Sequence, residues 1–369
     1  MIECRTIKEL CSVVVDCPHS TPTWTVEGKI VVRSNNIKNG RIDFSSPSYT
    51  DDEHFQQRIK RATPQGGDII ITREAPMGEV GMIPEGIVCC LGQRMVLLRA
   101  NPEICDNYYL LYSLQSRYVQ HQISWSEGTG TTVSNLRIPH LEQLKIPYLP
   151  LSKQRQVSSV LRCLEEKIKH NRVINDNLQQ QAQAIYASMF VDNADPTWQQ
   201  GHLSDLVTVR YGKDHKKLAD GIYPVYGSGG IMRHVERPLY DKESVLIPRK
   251  GTLNNVMYVN QPFWSVDTMF YTEMRLPDVA KFVYHFVKAK DLAAMNAGSA
   301  VPSMTTDILN AMEIAIPPAT VLEEFESLVA PMYRAMQGND AQSKKLADLR
   351  NALLPKLMSG EIDVSDIQL

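Results

Sequence analysis

The sequence has no run of eighteen or more apolar residues, and its start, Met1-Ile2-Glu3-Cys4-Arg5, lacks the basic, apolar and small-residue regions of a secretory signal. No membrane span is expected, and the cytoplasm is the expected location. All seven cysteines lie before Arg172, and none forms a Cys-x-x-Cys pair, so neither a disulfide framework nor a zinc site is indicated and buried free thiols are expected. The nine histidines are scattered, with no His-x3-His or His-Glu pair; no metal ligands are expected. Positive excess is missing too. A net charge of −2 argues against a simple nucleic-acid coat, so any DNA contact must come from local patches or partners.

Chemistry is equally hard to find. No Gly-rich loop ends in Lys-Ser or Lys-Thr, and Gly227-Ser228-Gly229-Gly230 lacks the following basic residue and helix signal of a phosphate loop. There is no Asn-Pro-Pro-aromatic tetrapeptide of the kind amino-methyltransferases use; Ile316-Pro317-Pro318-Ala319 has neither the amide nor the ring. Glu165-Glu166-Lys167 lies mid-helix beside Lys169 and Arg172 and reads as an exposed charged face, not as nuclease carboxylates.

What is present is a long periodic stripe. From Lys153 to about Phe190 the positions Val157, Leu161, Leu164, Ile168, Asn171, Asn175, Leu178, Ala182, Ile185 and Met189 alternate in steps of four and three, the spacing of a coiled-coil seam. About 168 residues later Phe325, Val329, Met332, Met336, Asn339, Ser343, Leu346, Arg350, Leu353 and Leu357 repeat it in register. Each helix is preceded by a block of mixed strands and helices, and the second block replays the first. Leu203-Ser204-Asp205-Leu206 answers Ile7 to Leu10, Val225 to Ile231 answers Val31 to Ile37, and Ser244 to Lys250 answers the strand Ile69 to Arg73. Gly298 to Ser303 answers the Gly128 loop, and Ile316-Pro317 answers Ile146-Pro147. A strand is expected over Arg94 to Arg99, with Asn101-Pro102 opening the helix that follows it. Turns are expected at Gly78 and Gly81.

The expected fold class is α+β: two mixed α/β domains separated by two long helices that form an antiparallel coiled coil, a pseudo-two-fold internal repeat. The boundaries are 1–150 for the first block, 151–192 for the first helix, 193–317 for the second block, 318–360 for the second helix and 361–369 for a tail. A helix of about 37 residues is roughly 55 Å long, a length that asks for a partner helix. Asn171 and Asn175 would meet Asn339 and Ser343 and fix one register by hydrogen bonding. Pro331 falls inside the second helix and is expected to kink it or delay its start. Antiparallel pairing would set the blocks about 50 Å apart, a distance suited to two short B-DNA segments spaced by one to one and a half turns of about 34 to 36 Å.

The ordered set of Tyr223-Pro224-Val225-Tyr226-Gly227-Ser228-Gly229-Gly230, Leu246-Ile247-Pro248-Arg249-Lys250-Gly251-Thr252 and Leu353-Leu354-Pro355-Lys356-Leu357-Met358-Ser359-Gly360-Glu361, with Ile-Pro before each helix, resembles the specificity (S) subunit of type I restriction-modification systems along the whole chain. The resemblance implies two target recognition domains, each reading half of a bipartite asymmetric DNA site, with the helices as a ruler between them. It also implies docking of two methyltransferase subunits and optionally two restriction subunits. S-adenosylmethionine, ATP and magnesium would sit on those partners, and this chain would bind no cofactor and do no chemistry. A specificity chain of a type IIB restriction enzyme and a coiled-coil protein-binding scaffold stay open as alternatives.

Base edges are read by Arg, Lys, Asn and Gln, and phosphates are held by Ser, Thr and main-chain N–H groups, so strand-end loops rich in these types are the candidates. In the first block they are Arg33, Ser34, Asn35, Asn36, Lys38, Arg73, Arg94, Thr129, Thr131 and Thr132; in the second, Tyr226, Ser228, Arg233, Arg249, Lys250, Asn254, Asn255, Ser299 and Ser303. Arg249 and Lys250 lead, because two cations at a strand end before Gly251 are poorly explained by folding.

Overall fold

Ile69, Ile70 and Ile71 are all fully buried, and the reason is that their strand has both faces covered. Ile69 and Ile71 pack with Val96, Leu98, Leu110 and Leu114, while Ile70 packs on the other face with Val32, Ile83, Cys89 and Leu97. An unbroken β-branched run is what such a strand requires, where a one-faced strand would alternate. Val245, Leu246 and Ile247 repeat the arrangement in the second block, the outer two facing one core and Leu246 the other.

The computed structural model describes residues 3–38, 40–125, 135–295 and 303–363. They form two compact units, Met1–His170 with Ala341–Leu369, and Asn171–Asp340. In the first, a four-stranded antiparallel sheet runs in the order Cys11–Asp16, Met95–Ala100, Ile69–Thr72, Val80–Met82. A three-stranded sheet of Ser48–Thr50, Lys29–Val32 and Cys89–Leu91 lies beyond it, its last pair parallel. The second unit has the same plan: Val207–Tyr211, Met269–Met274, Ser244–Pro248, Met257–Val259 in one sheet, and Gly230–Val235, Asp220–Gly227 and Trp264–Ser265 in the other, again with the last pair parallel. Val31↔Cys90 in one block answers Val225↔Trp264 in the other. A duplicated architecture, not merely a duplicated helix, is present.

Both blocks are closed by a two-stranded clasp. Cys4–Thr6 pairs with Lys145–Pro147, and Gln199–His202 pairs with Glu313–Ile316. A four-residue helix follows the first strand of each clasp, Ile7–Leu10 and Leu203–Leu206. Glu9 accepts from the Thr6 N–H and Asp205 from the His202 N–H, so the exposed donors at the helix starts are satisfied.

The long helices span Leu151–Ala187, continued by a wider π-turn over Ser188–Asp192, and Ala319–Met358. In the first unit Val157 and Leu161 pack with Leu357, Met358, Tyr109 and Tyr112. In the second, Ala182, Tyr186 and Phe190 pack with Phe325, Val329 and Tyr333. The partners run antiparallel. Leu161, Ile168 and Val329 are buried seam positions, and Leu164, Leu178, Met332, Met336, Leu346 and Leu353 are half-buried, each where the heptad spacing puts it. The Asn171 amide donates to Asn339 O (3.2 Å), Asn175 to Met336 O (3.3 Å) and Asp340 (2.8 Å), and Asn339 to Asn175 Oδ1 (2.8 Å). These bonds favour one register, since a shift by a turn would take these partners from the buried Asn171 amide and the half-buried Asn175 and Asn339 amides.

Several expectations need correction. The second helix begins at Ala319 and runs through Pro331. Pro331 is exposed, so water can serve the carbonyl it leaves without a donor, while buried Leu322, Phe325 and Val329 hold the turns before it; tertiary packing outweighs the local cost. The helix after Met95–Ala100 is capped by Asp106, which accepts from Tyr109 N, and Asn101 instead closes a turn through Glu103 N. Gly81 lies within a strand and has Arg41 O and Ile42 where a side chain would be, so its smallness serves sheet packing, not a turn. Glu165 is no part of a solvated face: its carboxylate takes Tyr112 OH (3.1 Å) and Arg350 Nη1 (3.1 Å). Of the cysteines, Cys163 is exposed and Cys4 and Cys11 are half-buried.

Polar contacts also fasten each block to its helix segments. In the first unit, buried Gln154 takes the Asp106 N–H (2.9 Å) and donates to Ile104 O and Leu149 O, while Ser158 donates to Asp106 (2.6 Å). In the second, His285 is fully buried between Gln183 and Tyr333. Its Nδ1 donates to Gln183 Oε1 (2.7 Å) and its Nε2 accepts from Tyr333 OH (2.9 Å), the neutral tautomer these partners fit. Burial lowers its pKa to about 4.

Candidate nucleic-acid interface

The strand Ser244–Pro248 ends at a sharp corner, Arg249-Lys250-Gly251, in which Gly251 has φ +86°. A side chain on Gly251 would stand 2.6 Å from Ser228 Oγ, so this corner and the Ser228 turn touch, and only glycine permits both the backbone angle and the approach. Asn255 completes the cluster by donating from its amide to Ser228 O (2.8 Å). Ser303 reaches the same place through a main-chain bridge with Lys250. Ser228, Arg249, Lys250, Asn255 and Ser303 are thus brought together on one surface of the second block.

The other candidates of that block serve the fold. Tyr226 is buried against Phe263. Arg233 donates to Leu218 O (2.8 Å) and pairs with Asp220 (2.9 Å), and Asn254 clips Asp291 and the Ala293 N–H.

In the first block, Arg33, Ser34, Asn35, Asn36 and Lys38 share a single turn, a short 3-10 helix over Ser34–Asn36 leading into the strand Ile37–Lys38. The Asn36 side chain accepts from Arg33 N (2.9 Å), and the Arg33 guanidinium lies 5.2 Å from the Trp24 ring centroid. Arg33, Asn35 and Lys38 are exposed. Arg73 and Arg94 are held otherwise. Arg73 is bound to Asp16 (2.9 Å), Leu136 O and Asn135, and Arg94, with φ +65°, sits before its strand and pairs with Glu74 (3.2 Å). Thr129, Thr131, Thr132 and Ser299 lie outside the described residues.

The sequence profile of the type I restriction modification DNA specificity domain matches residues 3–180 and 196–323. The chain belongs to that family. Among relatives of the specificity family, the MjaIX specificity subunit of Methanocaldococcus jannaschii is 22% identical over 345 residues, covering 82% of this chain and 79% of its own. The MjaX specificity subunit of the same organism is 27% identical over 118 residues, 32% of this chain and 27% of its own. The crystal structure of a type I restriction-modification S subunit from M. genitalium superposes with a TM-score of 0.61 at 18% identity, over 97% of this chain and 96% of that one. That likeness is one of fold.

For a specificity protein the second block carries more than the sequence candidates. Lys213, Lys216 and Lys217, between the strands Val207–Tyr211 and Asp220–Gly227, are exposed and form no ion pair among the described residues. Trp264 Nε1 donates to Lys213 O (2.8 Å), fixing the start of this lysine arm. Tyr211, 51% exposed, lies 5.3 Å beneath the Arg249 guanidinium. Ile231 and Met232 are exposed just after the Ser228 turn, apolar groups of the kind that contact thymine methyls. The run Lys213-Asp214-His215-Lys216-Lys217 was legible as a charge cluster, and the exposure of Tyr211 and Ile231 was not. Among the described residues no group of three His, Cys, Asp or Glu side chains is placed to hold a metal ion, and no helix is long and apolar enough to cross a membrane.

Proposed function

We propose that this chain is the non-catalytic specificity subunit that reads a bipartite, asymmetric DNA site, with 1–150 and 193–317 as its two target recognition domains. The observation that carries this reading is the repetition of one strand order with unlike side chains at the equivalent loops. One scaffold used twice, with Trp24, Arg33 and Asn35 at one loop set and the lysine arm, Ser228 and Ile231 at the corresponding loops of the other, suits two different half-sites. The helices, about 55 and 60 Å long at 1.5 Å per residue, are the ruler between half-sites and the dock for two methyltransferase subunits, to which two restriction subunits can add. S-adenosylmethionine, ATP and magnesium belong to those partners in the cytoplasm. The test is methylome sequencing of a host carrying this chain with a type I methyltransferase subunit that assembles with it. A bipartite methylated motif is expected; methylation at a continuous site, or none, overturns the reading.

A further inference from the structure

We propose that Tyr211 is a positioning residue that holds Arg249 ready to read a guanine, while Asp16 has closed the equivalent corner of the first block. The inference rests on the DNA-specificity reading above and names the base and the device.

Main-chain hydrogen bonds alone align the two corners. Arg73 N donates to Arg94 O (2.8 Å) and Arg249 N to Thr268 O (2.9 Å). Arg73 O accepts from Leu136 N (3.0 Å), Arg249 O from Met304 N (2.9 Å). On the neighbouring strand, Cys17 N donates to Met95 O and Gly212 N to Met269 O, both at 3.0 Å. The residues one step before, Asp16 and Tyr211, face Val96 and Phe270 in register. Arg73 and Arg249 therefore hold one position of the repeat, and Asp16 and Tyr211 hold another beside it.

What differs is the partner. Asp16 lies 2.9 Å from Arg73 Nη1, Leu136 O takes Nε and Asn135 takes Nη2, so all three nitrogens are engaged and the side chain is only 12% exposed. Arg249 has Tyr211 in place of the carboxylate. Its Nη1 donates to Asp267 O (3.3 Å), while Nε and Nη2 have no partner and no ion pair forms among the described residues. An aromatic face attracts the cation without neutralising it or taking its donors. It also fixes the guanidinium plane, so less rotamer freedom is lost when two parallel N–H groups meet O6 and N7 of guanine. Packing on Phe270, ring centroids 5.0 Å apart, explains where the Tyr211 ring sits, not why an arginine lies across it.

The test uses the complex assembled with its methyltransferase and duplexes in which each guanine of the site is replaced in turn by 7-deazaguanine, which lacks the N7 acceptor. For the natural chain, one guanine in one half-site should cost about tenfold or more in affinity. Arg249→Ala and Tyr211→Asp should both abolish that sensitivity, and Tyr211→Phe should keep it. Tyr211→Asp installs the Arg–Asp pair with which the first block already folds, and an unchanged melting temperature of the complex separates lost readout from lost structure. If the natural complex shows no sequence preference, the DNA-specificity reading itself falls. If it is specific but no guanine is sensitive, or Tyr211→Asp leaves the profile as it was, only the present inference falls.

Discussion

Arg73 and Arg249 stand at equivalent strand ends, and substitution should separate them by what each one's loss disturbs. Arg249→Ala should weaken DNA binding by the assembled complex by about 1–3 kcal/mol with little change in stability. Arg73→Ala should do the reverse. It leaves the mostly buried Asp16 carboxylate with the exposed His19 ring (3.0 Å) as its remaining side-chain partner among the described residues, at a cost of about 1–3 kcal/mol in urea unfolding. Unchanged DNA affinity in Arg249→Ala removes that residue from the interface. His285 offers a second residue-scale test. Its folded pKa, about 4, lies below the ordinary 6.5, so the unfolded chain takes up a proton that the folded chain resists. The resulting stabilisation is complete above pH 6.5 and is lost as pH falls from there toward 4. His285→Gln, which binds no proton, should reduce the loss between pH 7 and 5 by on the order of 2 kcal/mol, read from urea midpoints of the full chain. Neither role was visible in the sequence, because Asp16 is 57 residues from Arg73 and Gln183 102 residues from His285; side-chain partners across such separations are set by the fold.

The lysine arm between Val207–Tyr211 and Asp220–Gly227 is an element-scale feature, and its signature is salt dependence. Replacing Lys213, Lys216 and Lys217 by Gln should lower the slope of log affinity against log salt by about 0.9 for each phosphate no longer neutralised, and weaken all sequences alike. A change confined to the cognate site would assign the arm to base reading instead. Elements with a strong period were the legible ones. The seam of Leu161, Ile168 and Val329 and the buried run Ile69 to Ile71 could be read from spacing and residue type, since both are repeated responses to one buried surface. Pro331 misled because its cost is local and fixed, while the packing of Phe325 and Val329 that outweighs it comes from elsewhere in the unit. Asn101 misled because a turn and a helix cap ask for the same side-chain acceptor, and Asp106 was the one that also met Ser158 and Gln154.

At the scale of the whole chain, the duplication was legible because two seams in register, joined to two blocks in the same order, are hard to produce otherwise. The site within each block was not, since shared strand order says nothing about which loop side chains are left unpaired. The ruler reading makes a quantitative claim about the pair of helices. One heptad inserted into each, at matching seam positions, adds about 10 Å, or about three base pairs, to the spacer of the methylated motif. An unchanged spacer in the methylome would refute the ruler.

The clasps, Cys4–Thr6 on Lys145–Pro147 and Gln199–His202 on Glu313–Ile316, make each block an excursion that leaves and rejoins the chain at nearly one point, its ends about 5 Å apart. A gene segment cut at those strands therefore encodes both sheets and all the loops of a block. Recombination that replaced residues 203–312 with the corresponding stretch of another such protein would carry in both sheets and a complete set of loops, while Ala182, Tyr186, Phe190, Phe325 and Val329, the helix side of the shared core, would stay and must fit the incoming block. On the bipartite-site reading proposed above, the expected product is a hybrid specificity, in which one half of the methylated motif changes and the other half and the spacer persist. New sites could then arise by shuffling rather than by accumulating point substitutions.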